Sequence, residues 1–137
     1  MKNKLTNIKF HHIGIPVDKS KLSNKARYSE IFKMYSEEVK NPLGIKTEYH
    51  AFDSNSPLDI LIQTQIHIAF KINDIEKKLI GQKIIMPLYE PFSGYRCTII
   101  QINNTLIELI ETSLSEKELW DDEETLKNGI LYANLNN

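Results

Sequence analysis

Apolar and polar residues alternate along much of the chain, and that period predicts strands more often than helices. Ile8 to Val17 is rich in β-branched and aromatic residues and reads as a strand, with Pro16 confining it to an edge or to its own end. Ser20 to Glu38 carries Ala26, Tyr28, Ile31, Phe32, Tyr35 and Val39 at mixed spacings. A short helix running into a strand near Phe32 to Glu38 fits that stretch, and so does one longer helix. The turn residues Asn41-Pro42-Leu43-Gly44 then precede a strand over Ile45 to Phe52, where Ile45, Thr47, Tyr49 and Ala51 alternate with Lys46, Glu48, His50 and Phe52. The polar run Asp53 to Pro57 is the clearest break in the chain, and the short apolar stretch Leu58 to Ile62 follows it.

The second half predicts a β-α-β-β-β order. Ile66 to Ile72 reads as a strand, Asp74 as the N-cap of a short helix, and Gly81 as its end. Lys83 to Met86, a loop over Pro87 to Gly94, a strand Tyr95 to Ile102, the turn Asn103-Asn104 and a strand Thr105 to Glu111 follow. Ser115 and Glu118 have the spacing of a capping box, which predicts a C-terminal helix through about Leu126 that packs on the domain or a partner subunit through Leu119, Trp120 and Leu126. Asp121 to Glu124 reads as its solvated face, and Asn134 to Asn137 as a frayed tail.

The 137 residues suffice for one core, and 41% hydrophobic residues with only 5 Gly and 5 Pro fit a compact α+β domain rather than a linker. The balance of 17 Lys+Arg against 18 Asp+Glu, net −1, offers no charge excess for nucleic acid. No stretch reaches the roughly 20 apolar residues of a membrane span, and Met1 to Phe10 lacks the apolar run of a signal peptide, so a cytoplasmic protein is expected. The single cysteine, Cys97, excludes an intrachain disulfide and a Cys-rich zinc cage, and its apolar neighbours predict a buried packing residue.

One repeat stands out. His12-Ile13-Gly14-Ile15 and His67-Ile68-Ala69-Phe70 each run histidine, isoleucine, small residue, large apolar residue. Together with His67 to Asp74, Glu90 to Arg96 and Leu106 to Glu111, this pattern resembles the vicinal oxygen chelate superfamily of glyoxalases, epimerases and extradiol dioxygenases, and within it short glyoxalase-like bacterial proteins. The resemblance covers roughly Phe10 to Glu111 and is weakest between Asp18 and Leu43.

The resemblance implies paired βαβββ units forming a curved, mostly antiparallel sheet, with the first unit over about residues 8–57 and abbreviated. The second then covers 58–112, and 113–137 form the C-terminal helix and tail. It also implies a divalent metal, Zn, Ni, Co, Mn or Fe, on the concave face, with His12, His67 and Glu108 as ligands. A fourth ligand near the end of the first unit has no clear match: Asp59 is the charged candidate in Leu58 to Ile62, and His50 is the substitute.

Open positions on such a metal would take neighbouring oxygens of a small-molecule substrate, and a base would remove the proton beside a carbonyl. His50, Glu90 and Glu111 are the candidates for that base. Glu111 ranks below His50, because alternation places it opposite Glu108. Tyr95 and Arg96 are candidates to hold a carboxylate or phosphate. Tyr89, Phe92, Tyr95 and Trp120 line a cavity or pack the core, and His11, next to His12, is expected on the other face. The leading expectation is a homodimeric isomerase, lyase or epimerase. A non-catalytic small-molecule-binding module and a structural subunit are the alternatives.

Overall fold

The computed structural model describes residues 8–136. The expectations for the extreme N-terminus and for Asn137 lie largely outside these residues. A single eight-stranded sheet runs in the order β2-β3-β4-β1-β5-β8-β7-β6. Its strands are β1 (Lys9–Pro16), β2 (Arg27–Ser29), β3 (Met34–Val39), β4 (Thr47–Phe52), β5 (His67–Lys71), β6 (Lys83–Phe92), β7 (Tyr95–Ile102) and β8 (Thr105–Thr112). β1 to β4 form one half and β5 to β8 the other, joined where β1 pairs antiparallel with β5. In each half the first strand lies parallel to the last, β1 to β4 and β5 to β8, and the other pairings are antiparallel. This is the paired βαβββ arrangement, in a curved sheet of the α+β class.

The first half is abbreviated in its helix, not in its last strand. Between β1 and β2 there is only a 3-10 turn, Lys19–Lys21, whereas the second half keeps the helix α2 (Ile75–Lys78). The stretch that admitted a long helix instead makes a hairpin, β2 with β3, which turns at Lys33 with φ 51°. Here the cross-strand partners of Tyr28 and Tyr35, whose rings lie 4.6 Å apart, outweigh weak helical periodicity. The apolar stretch after the Asp53 loop is a short helix, α1 (Ile60–Thr64), with the Asp59 carboxylate accepting from the Leu61 amide at its start.

Pro87 to Phe92, read as loop, extends β6 through three register shifts. The prolines are tolerated because β6 is an edge strand and their missing donors face no partner strand. Asn103 and Asn104, both at positive φ, make the two-residue turn between β7 and β8. Asp74 precedes α2 but does not cap it with its side chain: it is left-handed at φ 55°, and its amide donates to Glu111 Oε2 at 2.8 Å.

The capping box at Ser115 and Glu118 forms with both of its bonds. The expected single C-terminal helix is broken, because Asp122 accepts from the Glu124 amide and starts a second one. The pieces are α3 (Glu116–Asp121) and α4 (Glu123–Lys127). The tail is not frayed over Ala133–Asn136, which forms a 3-10 turn. The Ser93 amide donates to Asn128 O at 2.6 Å, and the Leu131 amide to Pro91 O at 2.9 Å. On the other side, Ser29 Oγ donates to Leu131 O at 2.6 Å and Asn134 Nδ2 to Tyr28 O at 3.0 Å. The C-terminal segment is therefore a strap lacing the two edge strands, β2 and β6, across the hollow of the sheet. Leu119, Leu126 and Tyr132 on it join Phe92, Tyr95 and Cys97 in one buried cluster. No helix among the described residues is long and apolar enough to cross a membrane.

Candidate metal centre

The central strand pair explains the repeated tetrapeptide. His12 lies opposite Ala69 and Gly14 opposite His67, so the small residue of each repeat sits beneath the histidine of the other. A Cβ added at Gly14 would stand 2.1 Å from His67 Cε1, which leaves glycine as the side chain that fits. Both imidazoles are thereby laid over the seam of the two halves, facing the hollow.

Glu108 joins them from β8, where Ala69 is its partner in register. Its Oε1 is 3.3 Å from His12 Nε2 and 3.3 Å from His67 Nε2. The three candidate ligand atoms lie within 4.8 Å of one another, and all three residues are buried. This brings together the metal ligands expected from the sequence.

The candidate for the fourth position is a second carboxylate, Glu48. Parallel pairing places it opposite Gly14, as it places Glu108 opposite Ala69, so the two glutamates hold equivalent positions in the two halves. Glu48 Oε1 is 3.7 Å from His12 Nε2 and 3.4 Å from His50 Nε2. Asp59 is not this ligand: it is exposed and spent on capping α1. The missed signal was present in the alternation of β4, which puts Glu48 on the face of His50. The duplication, aligned from His12 and His67, selects it.

Electrostatics fit a cation at this point. Burial would raise the Glu108 carboxyl, yet the hydrogen bonds and charges of His12 and His67 hold it well below its usual range. Burial likewise opposes ionisation of Glu48, but His12 and His50 bring it down to about 2. At His12, burial lowers the imidazole while Glu48 and Glu108 more than reverse it, so its value is raised. Two carboxylates thus demand positive charge in a buried setting, and two imidazoles and two carboxylates are a donor set suited to Zn²⁺, Fe²⁺, Mn²⁺, Ni²⁺ or Co²⁺.

His50 faces the same hollow. Its Nδ1 is 2.8 Å from Ser36 Oγ, its ring stacks on His67 at 5.7 Å, and its buried Nε2, 3.4 Å from Glu48 Oε1, makes no hydrogen bond among the described residues. Glu38 on β3 also lines the hollow, and burial, reinforced by Glu48, pushes its carboxyl up to about 7. Nothing in the sequence distinguished Glu38 from a surface residue. Cys97 is buried as expected, 2% exposed, and burial together with neighbouring Glu108 pushes its thiol up.

Two expected substrate contacts part company. Tyr95 is buried in the hollow and stacks on Phe92 at 4.7 Å. Arg96, its neighbour, points to the opposite face, paired with Glu76 and Glu111. The role of Glu111 as a base fails for the same reason: it serves Arg96 and the Asp74 amide, away from the metal ligands. Glu90 accepts from the Gly94 amide at 2.9 Å and tightens the β6–β7 turn instead. His11 differs from expectation in the other direction. A register shift between Phe10 and His12 inserts one residue into β1, and His11 turns inward with His12.

The hollow encloses about 120 Å³ of free space. Its walls are largely apolar and aromatic, including Phe32, Met34, Phe52, Tyr89, Phe92 and Trp120, and His12, Glu48, His67 and Glu108 also line it. No protein-family model matches the chain, and no curated protein sequence matches it. Among solved structures, it is similar to methylmalonyl-CoA epimerase from Mycobacterium tuberculosis, with a TM-score of 0.56 and 15% identity over 77% of this chain and 89% of that one. The two share a fold. At this identity the likeness concerns the paired-unit architecture, and the site rests on its own geometry.

Proposed function

We propose that the protein binds a divalent metal ion through His12, His67, Glu108 and Glu48, and acts as an isomerase, lyase or epimerase on a small oxygenated metabolite. The observation that carries this reading is the equivalence of the two histidine–glutamate pairs, each supplied by the first and last strands of one half and meeting over the central seam. Such a bound ion would supply Lewis acidity, stabilising negative charge on an oxygen beside the reacting carbon. The chain's own residues would do the rest. In the tautomer whose Nδ1–H donates to Ser36 Oγ, His50 would hold a lone pair on Nε2, beside Glu48 Oε1, where it can take a proton. The aromatic wall and the strap keep bulk water from that proton and from the carboxylates.

A homodimer in the cytoplasm belongs to the same reading, and light scattering on the purified protein tests the dimer. For the metal, protein stripped with a chelator is titrated calorimetrically with Zn²⁺, Ni²⁺ and Co²⁺. Stoichiometric binding that raises the melting temperature is the expected result. The absence of binding by all three ions overturns the reading and leaves a non-catalytic module of the same fold.

A further inference from the structure

The extra residue in β1 places two histidine rings in contact. His11 Nδ1 lies 2.8 Å from His12 Nδ1, and both rings are buried. His11 is in turn stacked on Trp120 of α3 at 5.6 Å and 25°. Its remaining nitrogen, Nε2, is 3.4 Å from Glu116 Oε2, also on α3, while the other oxygen of Glu116 accepts from Trp120 Nε1 at 2.8 Å.

Covalent bookkeeping then orders the protons along this chain. A His12 that offers its Nε2 lone pair to a cation carries its proton on Nδ1. That N–H needs an acceptor, and the only atom in reach on His11 is Nδ1, which accepts only if His11 bears its own proton on Nε2. That Nε2–H faces the Glu116 carboxylate on the strap at 3.4 Å, an ion-pair distance with no hydrogen bond formed among the described residues.

We propose that His11 and Glu116 are positioning residues for the metal centre: they hold His12 in its metal-ligating tautomer, and they make metal affinity depend on the docking of the C-terminal strap. The inference rests on the metal-site reading above. Ligating histidines whose second nitrogen is held by such a partner typically lose 10–100-fold in metal affinity when the partner is removed. The unusual feature here is that the end of the relay lies on a different element, at the lid of the hollow.

The test measures Co²⁺ affinity of chelator-stripped protein by competition with a chromophoric chelator, alongside the visible spectrum of the Co²⁺ form. His11→Leu is expected to weaken Co²⁺ binding by about 10–100-fold and to shift the spectrum. His11→Asn, whose carbonyl oxygen can accept from His12 Nδ1–H, is expected to restore affinity to within about threefold of the parent. Glu116→Ala, at a side chain 58% exposed, is expected to weaken binding by about three- to tenfold, with the melting temperature of the metal-free protein measured alongside because Glu116 also accepts from Trp120 Nε1. Parent protein that binds Co²⁺ with His11→Leu unchanged overturns the relay alone. An unchanged Glu116→Ala overturns its extension to the strap, and parent protein that fails to bind Co²⁺ overturns the metal reading with it.

Discussion

At the scale of single residues, the decisive feature is that buried charges in the hollow are arranged around a point rather than paired off. Glu108 receives both Nε2 atoms on one oxygen, a geometry that serves a cation better than either histidine alone. His67→Ala is therefore expected to abolish metal binding while changing the stability of metal-free protein by only about 1 kcal/mol, as judged by calorimetry and denaturant unfolding. A loss of several kcal/mol in the metal-free state would assign His67 a structural role instead. Glu48→Gln is expected to weaken binding by roughly tenfold or more, about 1.4 kcal/mol, while Asp59→Asn leaves it unaltered. Equal affinities in these two variants would remove Glu48 from the ligand set. His12, His67 and Glu108 were legible from the repeat and the resemblance. Glu48 was not, because a carboxylate in an alternating strand looks the same whether it faces water or a metal until the strand's neighbour is known.

At the scale of elements, register carries the site. The β1–β5 pairing lays each histidine over the small residue of the other repeat, so substitution there moves the neighbour's ligand rather than its own. Gly14→Ala brings a methyl group to 2.1 Å from His67 Cε1. It is expected to cost about 1–3 kcal/mol and to displace the ring, read as a lower melting temperature together with lost metal affinity. Metal affinity equal to the parent's would mean that β1 can shift to absorb the methyl. The strands, the asparagine turn and the capping box were readable because each depends on local pattern. The bulge that turns His11 inward was not, since one inserted residue leaves the sequence alternation intact and changes only which face it meets. Likewise, Pro87 and Pro91 speak against a strand until it is known that β6 lies at the sheet edge.

At the scale of the whole molecule, the strap completes the cavity by tying β2 to β6, and at Gly129 it passes directly against β6. A Cβ there would stand 2.3 Å from Phe92 Cα and 2.4 Å from Pro91 O, both backbone atoms that cannot step aside. Gly129→Ala is expected to free the strap, read as faster amide hydrogen exchange over residues 116–136 with little change in β5, β7 and β8. Uniformly faster exchange would show instead that strap and sheet unfold as one unit. The sequence by itself determined the strand periodicity, the turns, the duplicated histidine motif and the small residue beside each histidine, because these follow from backbone sterics and from side chains that alternate every second residue. Only the tertiary structure decided that Glu48 stands beside the histidines together with Glu108, that Arg96 and Glu111 satisfy each other on the far face, and that residues 116–136 roof the hollow. Those outcomes depend on pairings between segments far apart in the chain, and the free energy of such a pairing belongs to both partners at once.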